Sequence, residues 1–348
     1  MFHLRAAFLI FTCLFVVSCK EDSAQIVEWR LQSQASNTSV DFIELQRFAD
    51  NIKAMSAGRF IITPHAGGGI TNGPDIFDAV SEGRIEMGNG WPNWWSGKNP
   101  AWAIMNAGPF DFMNLDSSMM FFLAGEGTKL ANELAAPEGI LWRPAWWPGM
   151  EFGLLSKTPI NSLADLKEKK VRIGPGLPSV VLAQASGAYT IPLVAQEIYS
   201  ALNNDDIDAV EWTTAAGVLD LNIHDIAKHA IVPAVWQPSV LSDFLINQLA
   251  YDALGDDLKA ILESAMKAYA LETTFKSKQA DIAAMQKLID DGVKVVRWSD
   301  KDIGHWAEAT DAILQHYKED PYTKKLLDQK HEFKARYLEY YKYFKRYD

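Results

Sequence analysis

Cysteine is nearly absent: the chain of 348 residues holds two, Cys13 and Cys19, both within its first twenty positions. That placement excludes a disulfide framework, a CxxC redox pair, a thiolate zinc site and a cysteine nucleophile from the folded body. Positive charge is in deficit too, with 33 Lys and Arg against 44 Asp and Glu and a formal net charge of -11. Such a surface is a poor partner for nucleic acid or an anionic bilayer, so no nucleic-acid function is expected; a local basic pocket for one small anion remains compatible with it. Catalytic signatures are also missing. No GxSxG, HExxH or Walker loop occurs and the seven histidines are dispersed, so nothing argues for an enzyme.

One stretch, Ala6 to Val17, is apolar throughout its neighbourhood, and it is too short to cross a bilayer. With Arg5 before it, the stretch reads as an export leader. Val16-Val17-Ser18-Cys19 has the form of a lipobox, in which cleavage leaves Cys19 to carry lipid. Residues 1–18 are thus expected to be a signal peptide of lipoprotein type and the protein to be periplasmic or otherwise extracytoplasmic, anchored to the membrane by lipidated Cys19. A plain signal peptide cut nearby is the alternative.

What remains is ordinary globular composition, 48% hydrophobic and 22% charged, at a length suited to two lobes that each bury a core. Ile26 to Gln32 reads as a strand; Phe42, Leu45, Phe48, Ile52 and Met55 mark one face of a helix; Phe60 to Thr63 is β-rich again. Strand, helix, strand predicts an α/β fold with parallel pairing. Residues about 25–150 are expected mainly in one lobe and about 151–240 mainly in the other. The remainder, about 241–348, reads as a helical segment returning across both lobes and ending in a tail helix.

An internal recurrence points to a cleft. Ile76-Phe77-x-Ala79-Val80 followed by Ile85 reappears as Ile198-Tyr199-x-Ala201-Leu202 followed by Ile207, each a helix, a polar turn and a strand. The first strand runs into Asn89-Gly90-Trp91 and the second into Glu211-Trp212. Ligands in open α/β sheets gather beyond the carboxyl ends of strands, so these two ends are candidate walls of one site. Seven of the twelve tryptophans fall in GWPNWWSGKNPAW and LWRPAWWPG, turn-rich segments of the kind that line pockets, although core packing suits most of them. Arg172 lies between Val171 and Ile173 and ends against Gly174-Pro175-Gly176. It is either a surface ion pair or, in a pocket, a guanidinium fork for a carboxylate. From Lys324 to Tyr347, the aromatics Phe333, Tyr337, Tyr340, Tyr341 and Phe344 gather on one side of a helix that needs a covering surface.

These pieces resemble the solute-binding proteins of TRAP transporters, from about Trp29 to the C-terminus. The resemblance rests on Ser162-Leu163-Ala164-Asp165-Leu166-Lys167 before the strand bearing Arg172, on Glu197-Ile198-Tyr199-x-Ala201-Leu202 and on Ile207-Asp208-Ala209-Val210-Glu211-Trp212. With Gly97-Lys98-Asn99-Pro100-Ala101, the latter two look like the 2-oxoacid and 2-hydroxyacid branch. The resemblance implies a two-lobed, periplasmic-binding-protein-like fold with a central cleft and a helical tail. It implies a receptor, not an enzyme, that hands a small organic acid to TRAP membrane subunits. The arginine matching Arg172 binds the ligand carboxylate; Glu211 and Trp212 match a pair that helps coordinate a bridging sodium or calcium ion. No organic cofactor is implied. Some members exchange a C-terminal helix to form dimers, which gives the aromatic tail a second candidate partner besides its own chain.

One departure concerns a glutamine ligand of the branch, whose place falls near Met150-Glu151-Phe152-Gly153. If Glu151 stands there, a second carboxylate favours a divalent ion, or receives a cationic group of a different substrate. Expected ligand contacts are Arg172, Trp212, Glu151, Trp94, Trp95, Asn89 and Trp236, and expected cation ligands are Glu211, Trp212 and Glu151. Two rival readings stay open: an exported enzyme using Glu211 or Glu151 as general base on a carboxylate, and an aromatic cage of Trp91, Trp94, Trp95, Trp212 and Trp236 for a quaternary ammonium ligand.

Overall fold

The computed structural model describes residues 26–106 and 108–344. The expected leader, residues 1–18, and Cys19 lie outside the described residues. Strands β1 (Val27–Ser33), β2 (Phe60–His65), β3 (Met87–Gly90) and β4 (Ile140–Gly149) come first. Next follow β5 (Leu154–Ser156), β6 (Lys170–Arg172), β7 (Tyr189–Ile191), β8 (Ala209–Glu211) and β9 (His229–Val232), and then β10 (Val240–Asn247) and β11 (Lys294–Arg297). They form two sheets, ordered β2-β1-β3-β10-β4 and β11-β9-β5-β8-β6-β7. This is the two-lobed α/β architecture that the sequence implies.

The first helix spans Val40–Met55 and buries Phe42, Leu45, Phe48 and Ile52, as its spacing requires. The recurrence is real: the helix Ile76–Ser81 feeds β3 and the helix Ala195–Asn203 feeds β8. Parallel pairing holds for β1 with β2 and β3, and for β6 with β7 and β8. It fails at β10, antiparallel to β3 and β4, and at β5, antiparallel to β8 and β9. These strands are entered directly from the opposite sheet, without the helical crossover that parallel neighbours need.

The chain passes from the first sheet to the second through Met150–Gly153 and returns through residues 233–239. The two crossings touch. Glu151 N donates to Gln237 O, and Ala234 N donates to Glu151 O, each at 3.4 Å. Gly153 makes the approach possible: at φ +144°, a Cβ there would lie 2.1 Å from Ile231 O. A third connection is the helix Asp256–Asp290, about 50 Å long, which packs on β4 and on the helix Ala215–Asp220 of the second lobe.

LWRPAWWPG proves to be β4 rather than a turn. Its prolines are tolerated because β4 is the edge strand of its sheet. Trp142 and Trp147 are consequently core residues. The tail helix, Pro321–Tyr341, packs on its own chain as far as Tyr337: Phe333 lies 5.9 Å from Phe112 and 5.4 Å from Phe121 between ring centres, and Tyr337 OH donates to Asp116 Oδ2 at 3.0 Å. Beyond that, Tyr340 and Phe344 each remain 59% exposed.

Candidate ligand and cation site between the lobes

β6 and β8 run side by side with Arg172 opposite Val210, which brings Arg172 beside Glu211, the last residue of β8. Arg172 Nη1 donates to Glu211 Oε2 at 3.0 Å and to Glu211 O at 2.5 Å. Its Nε and Nη2 both donate to Leu193 O, at 3.1 and 3.0 Å. Four of the five guanidinium N–H groups are thereby engaged, and one on Nη2 is left. The Trp212 ring lies 4.7 Å from the guanidinium carbon, a cation-π contact. Gly174 N donates to Glu211 Oε2 at 3.2 Å, so the loop after β6 also grips this carboxylate.

Glu151 arrives from the first crossing segment. Its carboxyl is buried, and Oε2 has no hydrogen-bond partner. Burial first, then the neighbouring Glu211, push the Glu151 carboxyl well above the usual carboxylate range, with Arg172 opposing. Burial depresses Arg172 in turn, against the pull of both glutamates. One guanidinium and two carboxylates sum to -1 when all are ionised. Gln237, on the second crossing, adds another orphan, since its buried Oε1 is unpartnered as well. Two unsatisfied oxygens beside a carboxylate form a donor set suited to a hard cation.

Arg172, Glu211, Glu151 and Gln237 share a cavity of about 30 Å³ with Trp91, Trp94 and Trp212, and with Asn93, Asn106, Gly174, Thr213 and Val240. That volume holds roughly two water-sized groups at about 10–15 Å³ each. A chamber of about 360 Å³ adjoins it, sharing Trp91, Trp212 and Thr213 and opening between Asp41 of one lobe and Asp220 of the other. The carboxyl ends of β3 and β8 therefore do meet at one cavity.

Five residues expected at the site, Arg172, Glu211, Trp212, Glu151 and Trp94, line the cavity, and three do not. Trp95 points into the core, its indole N–H donating to Asp243 Oδ2 at 3.0 Å. Adjacent residues of the 3₁₀ turn Pro92–Trp95 project about 120° apart, so Trp94 and Trp95 diverge. Asn89 accepts from Ser33 Oγ and donates to Ser242 Oγ and Asp243 O, all inside the first sheet. Trp236 packs edge-on against Trp298 and at a tilt against Trp306 in the core. A five-tryptophan cage is thus reduced to Trp91, Trp94 and Trp212. The sequence reading missed Asn93, Asn106, Thr213 and Gln237. Asn93 carried a signal, being the one amide within Trp91-Pro92-Asn93-Trp94-Trp95; Gln237 is recognisable only once the crossing it sits on is known.

The family model DctP, described as bacterial extracellular solute-binding protein, family 7, matches residues 31–320. A monocarboxylate 2-oxoacid-binding periplasmic protein of Nostoc sp. (strain PCC 7120) is 29% identical over 291 residues, covering 82% of this chain and 79% of its own length. Two solved TRAP periplasmic solute-binding proteins are each 28% identical with a TM-score of 0.86. One, from Pseudoalteromonas atlantica T6c, has bound sodium and pyruvate and aligns over 92% of this chain and 97% of its own. The other, from Colwellia psychrerythraea, has bound calcium and pyruvate and aligns over 91% and 97%.

Proposed function

The chain belongs to family 7 of the bacterial extracellular solute-binding proteins, and from that membership we propose that it is the receptor of a TRAP transporter for a small 2-oxo or 2-hydroxy monocarboxylate. The observation that carries this reading is the buried trio Arg172, Glu211 and Glu151, with its unpartnered Glu151 Oε2, enclosed between two lobes. A monocarboxylate takes the free N–H of Arg172 and competes with Glu211 Oε2 for Nη1. Adding its charge to the trio gives -2 in a buried site, which is untenable without a counterion. A divalent cation restores neutrality, whereas a monovalent one leaves -1. Calcium held by Glu211, Glu151 and Gln237, with Trp212 at its side, therefore fits this chain better than sodium. The small cavity and its trimmed aromatic wall favour an acid of few atoms over a bulky quaternary ammonium.

Capture works by hinge closure about the crossings at Met150–Gly153 and 233–239, with the lobes built mainly from residues about 25–150 and about 151–240. The ligand and cation bridge the lobes and favour the closed state by their differential contacts with it. No bond is broken. Among the described residues no helix is long and apolar enough to cross a membrane; the proposed attachment is through lipidated Cys19, near the permease that receives the acid. A second copy is the proposed partner of the exposed tail aromatics, beside a 600 Å³ groove lined by Met120, Phe333, Tyr340 and Tyr341.

Titration calorimetry with pyruvate tests the reading. Binding is expected with calcium, weaker binding with sodium, and none after chelation, with pyruvate recovered unchanged. Full affinity in metal-free buffer refutes the bridging cation, and turnover of pyruvate refutes the receptor.

A further inference from the structure

We infer that Asn93 is the latch of the closed cleft and that Asn106, gripped from behind by the tail-helix lysine Lys330, is the residue that positions it; the inference rests on the receptor reading above. Asn93 lies in the turn after β3, on the first lobe, and is 3% exposed. Its Nδ2 donates at 2.8 Å to the carbonyl of Pro175, which belongs to the second lobe and stands three residues beyond Arg172. One part-buried side-chain bond, donated by a buried amide, thus ties the lobes together at the cavity wall. The backbone accommodates it: Gly176 has φ +97°, and a Cβ there would sit 3.3 Å from Asn93 O, against the turn that has to approach. Another bond between the lobes, Thr38 Oγ1 to Asp220 Oδ1 at 2.5 Å, is exposed and competes with water.

The direction of the latch is set by groups of fixed polarity. The backbone N–H of Leu241 donates to Asn106 Oδ1 at 2.8 Å, which turns Asn106 Nδ2 toward Asn93 Oδ1, also at 2.8 Å. Asn93 then has to present its own Nδ2 to Pro175 O, an acceptor only. A donor at one end and an acceptor at the other permit one orientation of the two amides between them.

Behind Asn106 stands a buried charge that the binding site itself does not use. Lys330 is 2% exposed, and its Nζ donates to Ile104 O and Asp111 Oδ2 at 2.5 Å and to Asn106 O at 3.2 Å. Three donors meet three acceptors, which is what makes a buried ammonium tolerable. Lys334, one turn on, donates to Phe110 O at 2.7 Å and holds the same loop. The tail helix is thereby connected to the cleft through Lys330, Asn106, Asn93 and Pro175 in series.

The latch closes part of the ligand-free population and holds the liganded one; ligand enters through the open form and leaves from the latched one, so loss of the latch chiefly speeds dissociation and changes association little. The test uses the full chain, with pyruvate and calcium as probe, stopped-flow tryptophan fluorescence for rates and calorimetry for affinity. Asn93→Ala is expected to raise the dissociation rate and Kd about tenfold, with association within about twofold. Asn106→Asp is isosteric and keeps the acceptor for Leu241 N–H, but it inverts the Asn93 amide so that Oδ1 faces Pro175 O; a similar tenfold loss is expected. In series, the double variant Asn93→Ala/Asn106→Asp loses no more than Asn93→Ala alone. Lys330→Met shows a smaller loss in the same direction, while Lys325→Ala, on the exposed side of that helix, shows none. Wild-type affinity in Asn106→Asp overturns the proposal, as does a double-variant loss equal to the product of the singles. If Lys330→Met does not fold, Asn106→Asp decides. If wild type binds no pyruvate, the receptor reading for that acid fails first. The latch is then judged by small-angle scattering, where Asn106→Asp has to widen the ligand-free ensemble and identical curves overturn it.

Discussion

Replacing Arg172 with alanine separates two roles that the site combines. In the ligand-free protein the substitution removes an ion pair whose partners are each 3% exposed, together with three further hydrogen bonds to Glu211 O and Leu193 O. Two buried carboxylates remain, which would carry -2 in place of -1 if both were ionised, and Glu151 loses the one charge that opposes its protonation. Breaking a buried pair from one side costs about 3–5 kcal/mol, because the surviving charge is left without its partner. Saturating calcium brings the sum back to zero, so this deficit is expected to shrink when unfolding is repeated with calcium. For binding, the acid loses its cationic partner in a desolvated cavity, an effect of about 2–5 kcal/mol, or roughly thirtyfold to several thousandfold in affinity. Lys157→Ala is the control on the same lobe, since its pair with Asp205 is exposed and worth at most about 1 kcal/mol. Urea unfolding with and without calcium reads the first effect, and calorimetry with pyruvate and calcium reads the second. An affinity change below about threefold in a folded Arg172→Ala protein removes Arg172 from the ligand, whatever its cost to stability.

Glu151→Gln keeps an oxygen at the crossing and removes one charge; calcium-supported pyruvate binding is expected to weaken by about ten- to a hundredfold while sodium gains relative to calcium, and an unchanged cation preference refutes the assignment. Asp243, fully buried beneath the indole N–H groups of Trp95 and Trp142, is pushed up from 3.8 to about 7 by burial. Between pH about 4 and 7 the native state keeps a proton that the unfolded chain has released, so stability falls as pH rises through that window and is level above it. The cost reaches about 4 kcal/mol, and Asp243→Asn is expected to gain on wild type from pH 4 to 7 in denaturant unfolding; a gain independent of pH refutes it. Light scattering of Tyr340→Lys/Phe344→Lys against wild type reads the tail: a wild-type dimer that becomes monomeric in the variant is expected, and a wild-type monomer at micromolar concentration eliminates the second copy. Detergent partitioning of wild type against Cys19→Ala reads the anchor, and equal solubility with no lipid mass on the N-terminal peptide rules it out.

The part of this molecule that can be read from sequence is the part written in short-range periodicity. Phe42, Leu45, Phe48 and Ile52 announce a helix because they return every three or four positions, although Met55, next in that series, is half exposed, and the paired helix-turn-strand units place Trp91 and Trp212 at strand ends, where α/β folds gather ligands. Arg172 stands out because a guanidinium between two β-formers at a glycine turn is costly to bury without an anion. β10 gives no such signal: it lies between β3 and β4 with all eight residues buried, so it shows no alternation, and Ser242 and Asp243 interrupt its apolar run. The prolines of β4 argue against a strand until its edge position is known. Trp95 and Trp236 show a different limit, since a tryptophan states that it will be covered but not whether by core or by ligand. Gln237 and Asn106 lie beyond that limit altogether, and Asn93 is marked only by its place among tryptophans. Asn93 and Asn106 acquire their roles from an oxygen or N–H group on another pass of the chain, Pro175 O for Asn93 and Leu241 N–H for Asn106, at separations of 82 and 135 residues. A buried amide is chosen for a partner that only the closed fold supplies, and this is why the site's cationic anchor is legible in the sequence while the device that holds the cleft shut is not.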